Sequence, residues 1–182
     1  MIAAIRSNGT LKRSCSTNAT RSAGHGGLPG SSEAENWEAR EWERTLPLIA
    51  EPAAADTVLL GVPMYNFAVS AALKAWIDRV TFPGAFTHPD TGESLLSATR
   101  VVAVLARGGA YGPETGRADL DFQLPYLTAW TARLGVRPEH LHPVAAELTR
   151  VDVLPFPAGQ EEAAAAPPRR ARTALCRLAA VA

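Results

Sequence analysis

Two short strings in this chain of 182 residues carry chemistry suited to a flat, conjugated ligand. The first is Met64-Tyr65-Asn66-Phe67, immediately after Pro63. It offers a thioether and two rings that can pack on a planar face, and one carboxamide that both donates and accepts. It lacks the lysine and the run of glycines that build phosphate loops. The second string is Arg107-Gly108-Gly109. Its glycines let backbone N–H groups approach ring carbonyls and nitrogens with no Cβ in the way. Arg107, or those N–H groups, can stabilise negative charge on a ring that gains electrons.

Each string follows an apolar run that reads as a buried strand, 57–62 and 100–106, the second rich in β-branched residues. If these strands are neighbours, the two loops lie at one edge of the sheet, about 5 Å apart in the pairing direction. In open α/β sheets that edge, outside the carboxyl ends of the strands, is where ligands bind. Either string alone also fits a plain turn. Their pairing is what points to a site.

The clearest helix covers 70–80. Leu73, Trp76, Ile77 and Val80 fall on one face, and Ser70 suits the N-cap. A second helix is expected over 32–49, with Trp37, Trp42, Leu46 and Ile49 as its apolar side and Pro47 kinking it or ending it early. Leu120, Leu124, Leu127, Thr131 and Leu134 mark a third, which Gly135 can terminate. Residues 2–5 and 141–148 are weaker strand candidates, and 82–93, with two prolines and two glycines, reads as a long loop. The Ala-rich tail, 158–182, is interrupted by Pro167-Pro168-Arg169-Arg170, with helix expected only in its last turn or two.

Strands alternating with helices imply one domain over 1–182, a doubly wound parallel sheet flanked by helices. Three to four strands are visible where such a sheet needs about five to six. A strand and part of a helix are therefore missing, shortened or unrecognisable between Ser16 and Glu33, and 1–36 is divergent and open to disorder.

Lys+Arg and Asp+Glu balance at 18 each, which gives no basic field for nucleic acid or an anionic membrane. No apolar stretch reaches membrane-span length, and the start is too short an apolar run for a secretory signal. Cys15 and Cys176 stand far apart, which argues against a disulfide framework and for a reducing compartment, the cytoplasm. His140 and His142 alternate as on one strand face but have no third ligand nearby, so no metal is expected. No Gly-x-Ser-x-Gly elbow supports a hydrolase.

From 46 to 148 the chain resembles the FMN-dependent NADH:quinone oxidoreductases, also called FMN-dependent azoreductases, of flavodoxin-like fold. The resemblance rests on Pro63-Met64-Tyr65-Asn66-Phe67, then Ser70, Leu73-Lys74 and Asp78, Phe86-Thr87-His88 with Gly92, Arg107-Gly108-Gly109, Pro125-Tyr126-Leu127 and Leu134-Gly135. It implies that Met64, Tyr65, Asn66 and Phe67, with Ala106, Arg107, Gly108 and Gly109, line a non-covalent FMN. Ala106 stands where the family has serine. The resemblance also implies a Ser-rich phosphate loop after the first strand, here Ser7, Ser14 and Ser16, in surroundings that form no convincing amphipathic helix. It implies hydride transfer from NADH to the flavin, then two-electron reduction of a quinone or azo compound. It further implies a homodimer whose sites are completed by the partner chain, to which 82–93 and Phe122, Tyr126 and Trp130 can contribute. No side-chain nucleophile is required. Two other readings stay open: a cofactor-poor, inactive relative acting as a binding or interaction protein, and a one-electron flavodoxin-type carrier. The even charge balance argues against the carrier, a class often strongly acidic.

Overall fold

The computed structural model describes residues 2–5, 11–14, 32–150 and 161–179. Its centre is a run of three parallel strands: β3 (Thr57–Tyr65), β5 (Arg100–Ala106) and β6 (Leu141–Ala146). Their residues alternate between faces, as period-2 geometry demands. Val58, Leu60 and Val62 of β3 join Val101, Ala103 and Leu105 of β5 in the main core. Leu59, Val102 and Val104 face the other way, into a smaller core with Val144.

Helices cover both faces. On the main face lie α1 (Ser32–Ala53), α2 (Ala71–Val80) and α3 (Gln123–Arg133), which contribute Ile49, Trp76 and Leu127 among others. On the other face α4 (Glu161–Ala179) packs Ala171, Ala174, Leu175 and Leu178 against the sheet at helical spacing. Helix α4 runs through Pro167 and Pro168, so the tail is helical well beyond the turn or two expected.

The sequence pattern of α2 is realised. Its four apolar residues are buried, and the Ser70 hydroxyl accepts from the Leu73 N–H at 3.3 Å. Each such side chain contributes on the order of 1.5–3 kcal/mol when fully buried. Helix α3 ends as a Schellman motif. Gly135, at φ +82°, follows the last turn, and the Val136 N–H returns to the Thr131 carbonyl. Its Cα also abuts Ser94, which would lie 2.4 Å from any added Cβ.

Helix α1 departs from expectation. It continues past Pro47 to Ala53, and its inward face is Thr45, Ile49 and Pro52. Trp37, Trp42 and Leu46, expected inside, are 50%, 48% and 46% exposed. A polar tie sets this rotation. Arg79 of α2 donates to the Glu41 carboxylate at 2.8 Å, the Glu41 carbonyl at 3.0 Å and the Thr45 hydroxyl at 3.0 Å.

The N-terminal strands correct the all-parallel expectation. With β1 (Ile2–Ile5) and β2 (Leu11–Ser14), the sheet order is β2-β1-β3-β5-β6, and the short β4 (Ala68–Val69) lies on β3. Strand β1 runs antiparallel to β3, and β2 antiparallel to β1. The physical reason is connection length. A parallel pair needs a crossover of about a dozen residues or more, and the link from β1 to β2 is far shorter. Strand β2, which the sequence pattern did not reveal, occupies the sheet edge beside β1; it precedes the 16–33 stretch where a strand was expected, most of which lies outside the described residues.

Candidate functional site

The carboxyl ends of β3 and β5 lie side by side, with Pro63 opposite Ala106. Beyond them opens a cavity of about 350 Å³. Met64, Asn66 and Phe67 form one wall, Gly108 and Gly109 the other, and Tyr111 and Arg150 the rest of the lining. The volume is within the range of about 300–1,000 Å³ usual for small-ligand sites.

The first wall is a hairpin. Met64 pairs with Val69 and Tyr65 with Ala68, leaving two residues to make the turn. A two-residue connection matches the strand twist when both central residues have positive φ. Asn66 is at φ 47° and Phe67 at φ 69°. Asparagine tolerates this region, whereas phenylalanine there costs about 1–3 kcal/mol. Surrounding contacts hold Phe67 in place: its carbonyl accepts from the Phe122 N–H at 3.0 Å, and its ring meets Tyr111 edge-on at 6.3 Å. Strain concentrated at a cavity wall is typical of ligand clamps.

The second wall is bare backbone held from behind. Arg107 is 4% exposed, and its guanidinium points into the protein. It donates to Gln123 Oε1 at 3.0 Å, Asp121 Oδ2 at 2.7 Å and Glu147 Oε1 at 3.1 Å. Gln123, fully buried, also donates from Nε2 to the Val62 carbonyl at 2.9 Å and so ties the end of β3 to the end of β5. Asp121 Oδ1 accepts from the Gln123 and Leu124 N–H groups at the start of α3. Glu147 Oε1 accepts from the Tyr111 N–H at 2.9 Å. Among the described residues, the Gly108 and Gly109 N–H groups have no acceptor. They border the cavity as spare donors.

Of the sequence-predicted residues, Met64, Asn66, Phe67, Gly108 and Gly109 meet at this cavity. Tyr65, 62% exposed, faces instead a neighbouring groove of about 1010 Å³, which Asn66 also borders. Phe122 and Tyr126 line that groove, while Trp130 packs edge-on against the buried Trp76 at 5.7 Å. Burial pushes the Tyr126 hydroxyl above its ordinary pKa, and the Asp78 carboxylate raises that of Lys74, so the phenol stays neutral and the ammonium charged. Ala106 closes β5 outside the cavity lining, and Arg107 braces the wall rather than facing the space.

Ser7 and Ser16 lie outside the described residues. Ser14 ends β2 opposite Ile2, which is itself level with Leu60. The carboxyl end of β2, not of β1, thus points toward the cavity edge of the sheet. Because β1 is reversed, its own carboxyl end, Ile5, is level with Thr57 at the far edge. Sequence reasoning missed Tyr111 and Arg150 on the lining and the braces Asp121, Gln123 and Glu147. Arg150 lies just after a strand end with no motif around it, so no pattern marks it. Among the described residues no group of His, Cys, Asp or Glu is placed to hold a metal ion, and no helix is long and apolar enough to cross a membrane.

Comparison with known proteins gives this geometry a context. An FMN-dependent NADH:quinone oxidoreductase of Methylobacterium radiotolerans is 45% identical over 94 residues, covering 50% of this chain and 46% of that protein. One from Frankia casuarinae is 39% identical over 132 residues, covering 68% of this chain and 62% of that protein. The chain thus spans about half to three-fifths of the length of these relatives. Among solved structures, an FMN-dependent NADH-azoreductase from Bacillus anthracis in complex with FMN superposes with a TM-score of 0.58 at 24% identity, over 82% of this chain and 66% of that one. That likeness speaks for the fold alone. A family model described as flavodoxin-like fold matches residues 11–166, most of the chain, and on that match the chain belongs to the flavodoxin-like family.

Proposed function

We propose that the cavity binds FMN and that the protein is an FMN-dependent oxidoreductase. It takes a hydride from NADH and delivers two electrons to a quinone or azo compound. One observation carries this reading: two loops from adjacent parallel strands frame a single cavity, one wall bearing rings, a thioether and a carboxamide, the other bearing spare N–H donors. These residues fit a flavin. The spare donors suit the carbonyl and nitrogen edge of a conjugated ring, and the Asn66 carboxamide supplies a donor and an acceptor beside them. The names of the curated relatives support the same reading.

When bound, FMN supplies hydride acceptance and two-electron donation. The chain's own residues orient and shield. Met64 and Phe67 present apolar surface to the ring, and the strained hairpin fixes their direction before a ligand arrives. Gly108 and Gly109 allow close backbone approach, and the Arg107 network keeps that wall from shifting. Ser7, Ser14 and Ser16 are the hydroxyls we assign to the phosphate, and the end of β2 that carries Ser14 is directed toward the cavity edge.

The chain acts as a homodimer in the cytoplasm under this proposal. Tyr65 and Phe122, 62% and 58% exposed, line the apolar groove, a patch suited to a partner. Sedimentation as a dimer at micromolar concentration is expected, and a monomer would remove that element.

Titrating FMN into the purified protein tests the core of the reading. Saturable, one-to-one quenching of flavin fluorescence is expected, with NADH oxidation by an added quinone that depends on FMN. Protein that leaves flavin fluorescence unchanged would overturn it in favour of a binding module on the same fold.

A further inference from the structure

We propose that Arg150, seconded by Arg117, supplies the positive charge that stabilises the reduced form of the ring bound in the cavity, a role the buried Arg107 cannot fill. The inference rests on the flavin reading above. The sequence makes Arg107 the obvious cation, since it abuts Gly108. Its guanidinium, however, is turned away and matched by two carboxylates, Asp121 at 2.7 Å and Glu147 at 3.1 Å. That cluster carries more negative than positive charge, so it offers the cavity no favourable field.

Two other guanidinium-bearing side chains lie against the glycine wall. Arg150 lines the cavity, and its Cγ stands 3.1 Å from where a Cβ on Gly108 would be. Arg117 Nη1 stands 3.4 Å from the corresponding position on Gly109, beside the Tyr111 ring. Among the residues whose side chains are described, neither guanidinium has a carboxylate partner. The Gly108 and Gly109 N–H groups likewise have no acceptor. The glycine wall thus carries two spare donors, one cation that lines the cavity, Arg150, and a second beside Gly109, Arg117, neither with a carboxylate among the described side chains. Such a surface favours an anion over a neutral guest of the same shape.

Hydride chemistry supplies that anion. A neutral conjugated ring that accepts a hydride, two electrons and one proton's mass together, acquires one negative charge. A positive surface therefore binds the reduced ring more tightly than the oxidised one and makes the ring easier to reduce. Both arginines are exposed, so their removal leaves the core untouched.

The test compares wild type with Arg150→Gln, Arg117→Gln and Arg150→Lys. Affinity for oxidised FMN and for riboflavin is read by fluorescence, the midpoint potential by equilibration with a reference dye, and folding by urea titration. Arg150→Gln is expected to bind oxidised FMN and riboflavin like wild type while holding the reduced form about tenfold less tightly, a fall of about 30 mV in midpoint potential. Arg117→Gln should shift the potential the same way by less, and Arg150→Lys should stay near wild type. An unchanged potential in Arg150→Gln with FMN still bound would overturn the inference and leave the flavin reading standing. Equal weakening of oxidised and reduced FMN with riboflavin unaffected would also overturn it, because the guanidinium would then be holding the phosphate. Wild-type protein that binds no flavin would sink the inference together with the functional reading.

Discussion

The two walls of the cavity are built on opposite plans. The 64–67 wall is made of side chains projected from a strained two-residue turn, with few partners behind it. The 108–109 wall presents no side chain and owes its position to a buried ionic network contributed by residues 107, 121, 123 and 147. The difference separates two jobs. Under the proposed function the hairpin wall makes contact with the guest, and damage there should cost binding more than folding. The glycine wall is tuned for placement, and damage behind it should cost folding first.

The largest effect is expected at Arg107. Arg107→Met removes the cation between two mostly buried carboxylates and leaves them facing each other. Loss of about 3–5 kcal/mol is expected in urea unfolding, because breaking one side of a buried ionic cluster strands the remaining charge. A loss below about 1 kcal/mol would show that the network does not hold the wall. Phe67→Gly reverses the balance. Glycine relieves the positive-φ strain, so stability should stay within about 1 kcal/mol of wild type, while FMN affinity by fluorescence should fall about tenfold or more. Equal losses in both assays would erase the contrast between the walls.

Gly108→Ala sharpens the comparison at smaller scale. The added methyl would meet Arg150 Cγ at 3.1 Å, and that exposed side chain can move aside. Stability should therefore change by no more than about 0.5 kcal/mol. FMN affinity should drop severalfold, because the methyl narrows the bare wall. The smallest effect at the cavity is expected from the α1–α2 tie, which touches neither wall. The Arg79 guanidinium holds the Glu41 carboxyl below its ordinary pKa of 4.5. A lowered folded-state pKa means stabilisation that is present above the unfolded value and is lost as pH falls through the folded one. Acid titration of stability should therefore steepen below about pH 4.5 in wild type and flatten in Glu41→Gln, with flavin binding at neutral pH the same in both.

The hairpin wall could be found by eye because its chemistry is local. Five consecutive residues follow an apolar run, and Ser70 then caps a clean amphipathic helix. Strands β3 and β5 were equally legible, since their residues alternate between two cores. The hairpin's conformation was not, because Asn-Phe carries no glycine to announce a turn with two positive φ angles. Nor was the fate of Arg107. Its partners lie 14, 16 and 40 residues away, in segments whose sequence gives no sign that they converge. Helix α1 misled for a related reason. Its tryptophans form an apolar stripe, yet the polar reach of Arg79 to Glu41 and Thr45 outweighed that stripe in setting the rotation. The direction of β1 was hidden because a short apolar run does not reveal which way its neighbour runs.

The hairpin's brevity has a bearing on how the molecule comes into being. Closing two residues between Tyr65 and Ala68 restricts very little chain, and such turns form on a microsecond scale. Joining Thr57 to Arg100 must first gather the whole of α2 and the loop beyond it, at a far greater entropic cost. During synthesis or refolding, the ring-bearing half of the crevice is thus prefabricated locally, while the half that completes it arrives only with long-range sheet pairing.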